Sequence, residues 1–220
     1  SDAVRAGVET YHALKKLLKA DGHVTAVGAE GACAARLDVC EEAFVYITKA
    51  IEEAGYSGKI QLAIDAAASE FVDGGKYNVD GKKLSTEEMT AYYLDVLERY
   101  PLVSIEDSHS EDDWDGFIAM REALGDKLQL VGDDLLVTNI EIIKKAIEKN
   151  AVNSVLIKLN QIGSVSETVD AVRLTQDQGW TAVVSHRGGD TEDDFMADFA
   201  VALRAGQIKT TFNRSERTCK

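Results

Sequence analysis

Short apolar runs alternate along this chain with longer stretches whose apolar residues recur every three or four positions. The runs cover residues 59–65, 102–107, 128–134, 155–160, 181–186 and, briefly, 207–210. Each is mostly apolar, as a strand buried on both faces of a parallel sheet should be. Four intervening segments open with Ser85-Thr86-Glu87-Glu88, Thr138-Asn139-Ile140-Glu141, Ser164-Val165-Ser166-Glu167 and Thr191-Glu192-Asp193-Asp194. All fit a capping box or its acidic variant, so helices are predicted to follow. Trp114, Phe117, Ile118 and Leu124 share one predicted helix face, and Phe195, Phe199 and Leu203 share another. Two more helices are expected at roughly 3–19 and 40–54, separated by a Gly/Ala-rich loop at 27–32. Residues 73–81, Asp-Gly-Gly-Lys-Tyr-Asn-Val-Asp-Gly, read as a hairpin-like excursion after the first strand.

Strands alternating with helices imply βαβ units and a parallel α/β sheet, either open and doubly wound or closed as a β/α barrel. The polar residues decide between them. The runs end in turn near Asp65, Glu106, Asp133, Lys158, His186 and Lys209. Any one could be a solvated strand end. Six in succession, three carboxylates and then Lys, His and Lys, are not explained that way. An open sheet gathers its site at one switch point, whereas a barrel collects residues from many strand ends around one axis. The barrel is therefore predicted. Three carboxylates on adjacent strands repel one another unless a cation intervenes. All-oxygen ligation without His or Cys favours Mg²⁺ over Zn²⁺. Lys158, Lys209, His186 and Arg187 are expected to form a cationic half facing the acidic one, suited to a substrate with carboxylate and phosphate groups. From spacing alone, Lys158 reads equally as a proton-accepting base or as a strand-end salt-bridge partner.

Composition narrows the classes. The chain has 220 residues, 45% of them hydrophobic, with a single Pro, so it reads as globular rather than disordered. A net charge of −14 argues against nucleic acid as a general partner. No apolar run reaches the length of a membrane helix. Cys33, Cys40 and Cys219 have no metal-ligand spacing, and their odd number without a secretory segment points to a reducing compartment such as the cytoplasm. The sequon Asn213-Arg214-Ser215 carries little weight there. A start at Ser1 rather than Met is expected of a processed or shortened chain.

Several longer motifs carry a family resemblance. Ala67-Ala68-Ser69-Glu70-Phe71, Tyr100-Pro101-Leu102-Val103-Ser104-Ile105-Glu106-Asp107, Gly132-Asp133-Asp134-Leu135, Lys158-Leu159-Asn160-Gln161-Ile162-Gly163, Val184-Ser185-His186-Arg187 and Gly206-Gln207-Ile208-Lys209-Thr210 resemble enolases, in the right order over nearly the whole chain. The resemblance implies an enolase-type, TIM-like β/α barrel in which about six of eight strands are legible. It makes residues 1–220 the C-terminal barrel domain, without the N-terminal α+β domain and first barrel strands.

It also implies the Mg²⁺-dependent, reversible dehydration of 2-phospho-D-glycerate to phosphoenolpyruvate. Asp65, Glu106 and Asp133 match metal ligands, Lys158 the general base and Glu30 the general acid. Glu106, Asp133, Ser185, His186, Arg187, Gly188 and Lys209 match substrate-side positions, with Arg187 on the phosphate. Ala29, Ala32, Ser108, Gly188 and Thr211 depart from the family pattern. Those departures and the unclosed barrel leave open an alternative, a catalytically impaired structural subunit of a larger assembly. A third possibility, another metal-assisted proton abstraction, is weaker. The family precedent implies a homodimer, or a partner chain that completes the barrel.

Overall fold

The computed structural model describes residues 2–28, 30–211 and 218–220. Ser1, Ala29 and the sequon at 213–215 lie outside the described residues. The chain forms two compact units. One comprises residues 1–62, 187–193 and 210–220, the other 63–186 and 194–209.

In the first unit, α1 (Asp2–Ala20) packs on α2 (Glu42–Glu53). The Tyr46 hydroxyl, on α2, donates to Asp21 at 2.8 Å and lies 3.1 Å from the His23 ring. The loop between the helices is drawn together by a bridge from Val27 to Cys33 and a Gly28 N–H to Ala32 carbonyl bond of 2.8 Å.

The second unit holds the sheet. Its strands are β1 (Leu62–Asp65), then β2 (Val72–Asp73), β3 (Lys76–Val79) and β4 (Lys82–Leu84), followed by β5 (Leu102–Glu106), β6 (Gln129–Gly132), β7 (Ser154–Ile157), β8 (Thr181–Ser185) and β9 (Gly206–Lys209). Its helices are α3 (Thr86–Arg99), α4 (Trp114–Leu124), α5 (Ile140–Lys149), the single turn α6 (Leu159–Ile162), α7 (Val165–Asp177) and α8 (Phe195–Ala202). The main sheet runs β1-β5-β6-β7-β8-β9, and the pairings from β5 to β9 are all parallel. The excursion after β1 is larger than a hairpin: β2, β3 and β4 form an antiparallel meander. Its second turn, Asp80-Gly81, has both residues at positive φ, as a tight hairpin turn requires.

Two side-chain pairs show how strongly the sheet curls. Gln129 on β6 and Gln207 on β9 exchange amide hydrogen bonds of 2.7 and 3.1 Å across the concave face. Lys209 on β9 reaches Asp65 on β1 at 2.8 Å, although these are the two edge strands. In a flat sheet the edges of six strands would stand about 24 Å apart at the usual inter-strand spacing. The architecture is an incomplete β/α barrel of six strands.

The helices begin largely as their sequences require. Ser85 forms a complete capping box with Glu88, and Ser164 accepts from the Glu167 N–H at 3.2 Å. Two starts differ. Asn139, not Thr138, caps α5 by accepting from the N–H groups of Glu141 and Ile142. Thr191 lies too early to cap α8, which follows Asp194. Phe195 is exposed, and the buried face of α8 is Met196, Phe199 and Ala200.

The segment after β5 is held from behind by a buried histidine. His109 is fully buried, with its ring centroid 5.6 to 6.3 Å from those of Tyr77, Tyr93 and Phe117. Its ring nitrogens lie 3.0 Å from the Ser108 hydroxyl and 3.2 Å from that of Thr90. Gly116 on α4 makes room for it, because a Cβ there would lie 2.4 Å from His109 Cδ2. Rings on three sides prevent the imidazole from moving aside. Gly116→Ala is therefore expected to destabilise the fold by about 1–3 kcal/mol. Chemical denaturation measures this, and a variant as stable as the parent would show that the ring has space to shift.

Candidate active site

The charged residues sit where the parallel strands end. Asp65, Glu106 and Lys209 are the last residues of β1, β5 and β9, while Asp133, Lys158 and His186 directly follow β6, β7 and β8. Lys158 is thus the residue before α6, not part of a strand running to residue 160.

The backbone beside these positions is strained. Ala67, Asp107, Val137 and Thr138 all adopt positive φ, between 43° and 56°. That region is uncommon for non-glycine residues and worse for β-branched ones such as Val137 and Thr138. Such strain persists only where the surroundings over-determine it, and it clusters at functional sites.

Acids and amines alternate within this group. Lys209 Nζ donates to Glu106 Oε1 at 2.7 Å and to Asp65 Oδ2 at 2.8 Å. Lys158 Nζ donates to Asp133 Oδ2. Lys209 thus lies between two of the acids, and Lys158 pairs with the third. Three acids on neighbouring strand ends need positive charge close by, and the two ammonium groups supply it. Burial pushes the Glu106 carboxyl up to about 8, Lys209 pulls it back, and Asp65 and Asp133 push it further up. For Lys209, burial favours the neutral amine, but Glu106 and Asp65 outweigh it and leave the ammonium harder to deprotonate than usual.

Asp133 keeps one oxygen in reserve. Its Oδ1 is buried without a hydrogen-bond partner among the described residues. An orphaned buried carboxylate oxygen is costly unless something cationic or donating reaches it. Asp65 and Asp133 act electrostatically on Glu106, and an all-oxygen set suits a hard divalent cation, but these three carboxylates do not bring oxygens within 4.8 Å of one another. Among the described residues the carboxylates that do bring oxygens within 4.8 Å of one another are Asp107, Asp133 and Asp134. Asp107, however, already accepts the N–H groups of Asp133 and Asp134, each at 2.9 Å. Burial pushes its carboxyl up to about 7 against the pull of those two amides.

Lys158 is anchored through its backbone. Its N–H donates to the Thr138 hydroxyl at 3.0 Å, and that hydroxyl lies 3.0 Å from Gln161 Oε1. Sequence reasoning missed Thr138 and Asp107. The first is hidden in a string that imitates a helix cap, and the second reads as one more strand-end acid. Neither has a signature short of the backbone geometry.

Ser185 and His186 are buried at the end of β8, where the His186 N–H donates to the Lys209 carbonyl at 3.0 Å. Glu30, Arg187 and Gly188 belong to the first unit. Glu30 is exposed on the bridged loop, and a Cβ built on Gly188 would lie 3.4 Å from its Oε1. The Arg187 N–H donates to Asp190 at 3.3 Å. The second unit therefore gathers Asp65, Glu106, Asp133, Lys158 and Lys209, and the first brings Glu30 beside Gly188.

Residues 1–220 match the family model described as enolase, C-terminal TIM barrel domain. A curated protein named enolase, from a Nitratiruptor species, is 54% identical over 224 residues, covering 100% of this chain and 53% of that protein. The chain thus spans about half the length of that relative.

Two outcomes follow from the geometry. Glu106 and Asp107 hold protons in the folded state well above their ordinary values of 4.5 and 3.8. The folded state then binds more protons than the unfolded one, so stability falls as pH rises from about 5 towards 8 without divalent metal. Thermal melts across that range test this. A flat or rising melting temperature refutes it, and Glu106→Gln should reduce the slope. Separately, Thr138→Val removes the acceptor of the Lys158 N–H and should cost about 1–3 kcal/mol. Denaturant titration measures that loss, and no change would show that the hydroxyl is dispensable.

Proposed function

The chain belongs to the enolase family, and we propose that it carries that family's reaction, the reversible dehydration of 2-phospho-D-glycerate to phosphoenolpyruvate. The supporting observation is the cluster of Asp65, Glu106, Asp133, Lys158 and Lys209 at successive strand ends. Three acids and two amines in one place suit a reaction that takes a weakly acidic proton from beside a carboxylate.

In this reading Lys158 accepts the proton at Nζ from the carbon bearing the phosphate, next to the substrate carboxylate. Glu30 returns a proton to the departing hydroxyl on the neighbouring carbon, so that water leaves. Lys209 pairs with the substrate carboxylate and Arg187 with the phosphate, while Ser185, His186 and Gly188 line the substrate's position. Asp65, Glu106 and Asp133 would hold Mg²⁺, which would supply Lewis-acid stabilisation of negative charge on the substrate carboxylate. The unpartnered Asp133 Oδ1 supports that assignment.

Residues 1–220 form the barrel portion of the enzyme. The sheet has β1 and β9 as its edges. Further strands, from the same polypeptide or a partner chain, cover them in the working enzyme, since bare edges invite unwanted pairing. The thiols of Cys33, Cys40 and Cys219 suit the reducing cytoplasm. Among the described residues no helix is long and apolar enough to cross a membrane.

The test is turnover of 2-phosphoglycerate with saturating Mg²⁺, followed through the ultraviolet absorbance of phosphoenolpyruvate. Lys158→Ala should lower kcat about 10²–10⁴-fold. It should also stop deuterium exchange from solvent into the carbon that loses its proton, while Mg²⁺ binding persists. A parent protein that makes no phosphoenolpyruvate, or a Lys158→Ala variant of full activity, would refute the assignment.

A further inference from the structure

We propose that Asp107 is a positioning residue for this site: its carboxylate fixes the backbone of Asp133 and Asp134 and so sets the direction of the Asp133 side chain. The proposal rests on the functional reading above and extends it to a residue outside the proposed ligand and substrate set.

Every polar group of Asp107 is engaged in joining strand ends. Its N–H donates to the Val131 carbonyl at 3.0 Å, tying the end of β5 to β6. Its carbonyl accepts the Ala68 N–H at 3.2 Å, tying it to the segment after β1. Oδ1 accepts the Asp133 N–H and Oδ2 the Asp134 N–H, each at 2.9 Å. The residue is 4% exposed, and its backbone sits at φ 44°. Two consecutive N–H groups gripped by one carboxylate leave the peptide between Asp133 and Asp134 little freedom to rotate. That peptide governs where Asp133 points.

Asp133 has two duties that depend on its direction. Oδ2 takes the Lys158 ammonium, and the buried Oδ1 remains without a partner among the described residues. A turn of the carboxylate would lose one or both. A neutral acceptor could not substitute, because an Asn at 107 offers one oxygen and one NH₂ group to two N–H donors. One donor would face another. Outer partners that orient ligating carboxylates typically change metal affinity or activity 10–100-fold when removed.

The experiment uses the full-length protein, its Asp107→Asn variant, and Mg²⁺ or Mn²⁺ as the probe. Asp107→Asn should weaken metal binding by about 10–100-fold in calorimetry. It should lower kcat at saturating substrate and speed amide hydrogen exchange at Asp133 and Asp134. A variant that only melts earlier, with metal affinity, kcat and amide exchange like the parent, would overturn the proposal.

In the parent, the Asp133 and Asp134 amides should exchange slowly and stay protected when Mg²⁺ is added. This measurement decides the matter if the variant does not fold. Fast exchange without metal overturns the positioning role, and loss of protection on adding metal would make Asp107 a ligand instead. If the parent makes no phosphoenolpyruvate, the proposed reaction fails, while metal affinity and amide protection still judge Asp107.

Discussion

The Lys209 ammonium, shared between Asp65 and Glu106, is the contact on which the curled sheet and its chemistry both depend. It joins the last strand of the six to the first at 2.8 Å and to the second at 2.7 Å. The pair with Glu106 is poorly solvated: the Glu106 side chain is 8% exposed and that of Lys209 32%. Removing such charges from water costs several kcal/mol per ion, and the attraction of Lys209 does not fully return that cost for Glu106, whose carboxyl is held up to about 8. A well-packed apolar cluster would serve stability as well or better. Charges concentrated at this cost, beside strained backbone, point to a chemical use for the site.

The backbone answers the same constraint in another way. Each strand end must both finish a parallel ladder and present a side chain toward a shared centre. The chain reverses sharply enough that Ala67, Asp107, Val137 and Thr138 enter the left-handed region. These turns are held by neighbouring strands. Asp107, after β5, grips the amides after β6, and Thr138, after β6, grips the amide of Lys158 after β7. Behind them His109 fills the space beneath α4 and fixes the segment that carries Glu106. The site is thus held by a chain of contacts between consecutive βα units.

Much of this was readable from residue pattern, and the failures share a cause. Apolar runs closed by Asp65, Glu106, Asp133, Lys158 and Lys209 announce parallel strands with polar tips, because burial demands apolar bodies and chemistry demands polar ends. The spacing could not say how the charges interleave. Lys209 lies far from Asp65 in sequence, and only the curl of the sheet makes them neighbours. Thr138 was read as a helix cap because a Thr followed three residues later by Glu imitates one. Its hydroxyl is instead used by the next strand end, and Asn139 does the capping. Phe195 fits a helical apolar stripe, yet α8 buries Met196 and Phe199. In each case periodicity identified the element, and tertiary contact decided the residue's task.

The charge pattern also separates the two amines. A base that removes a proton from carbon must first be neutral. Lys209 touches two carboxylates, and their combined pull outweighs its burial and keeps it protonated. It can neutralise and hold an anionic group, but it is badly placed to accept a proton. Lys158 contacts a single carboxylate, and that carboxylate has a second, unpartnered oxygen on which a divalent cation could draw. The cluster thus contains one amine committed to its charge and one whose counter-charge can be shared. In the proposed reaction this contrast in contacts assigns proton abstraction to Lys158 rather than Lys209, with the acids around it holding the positive charge that would make such abstraction feasible.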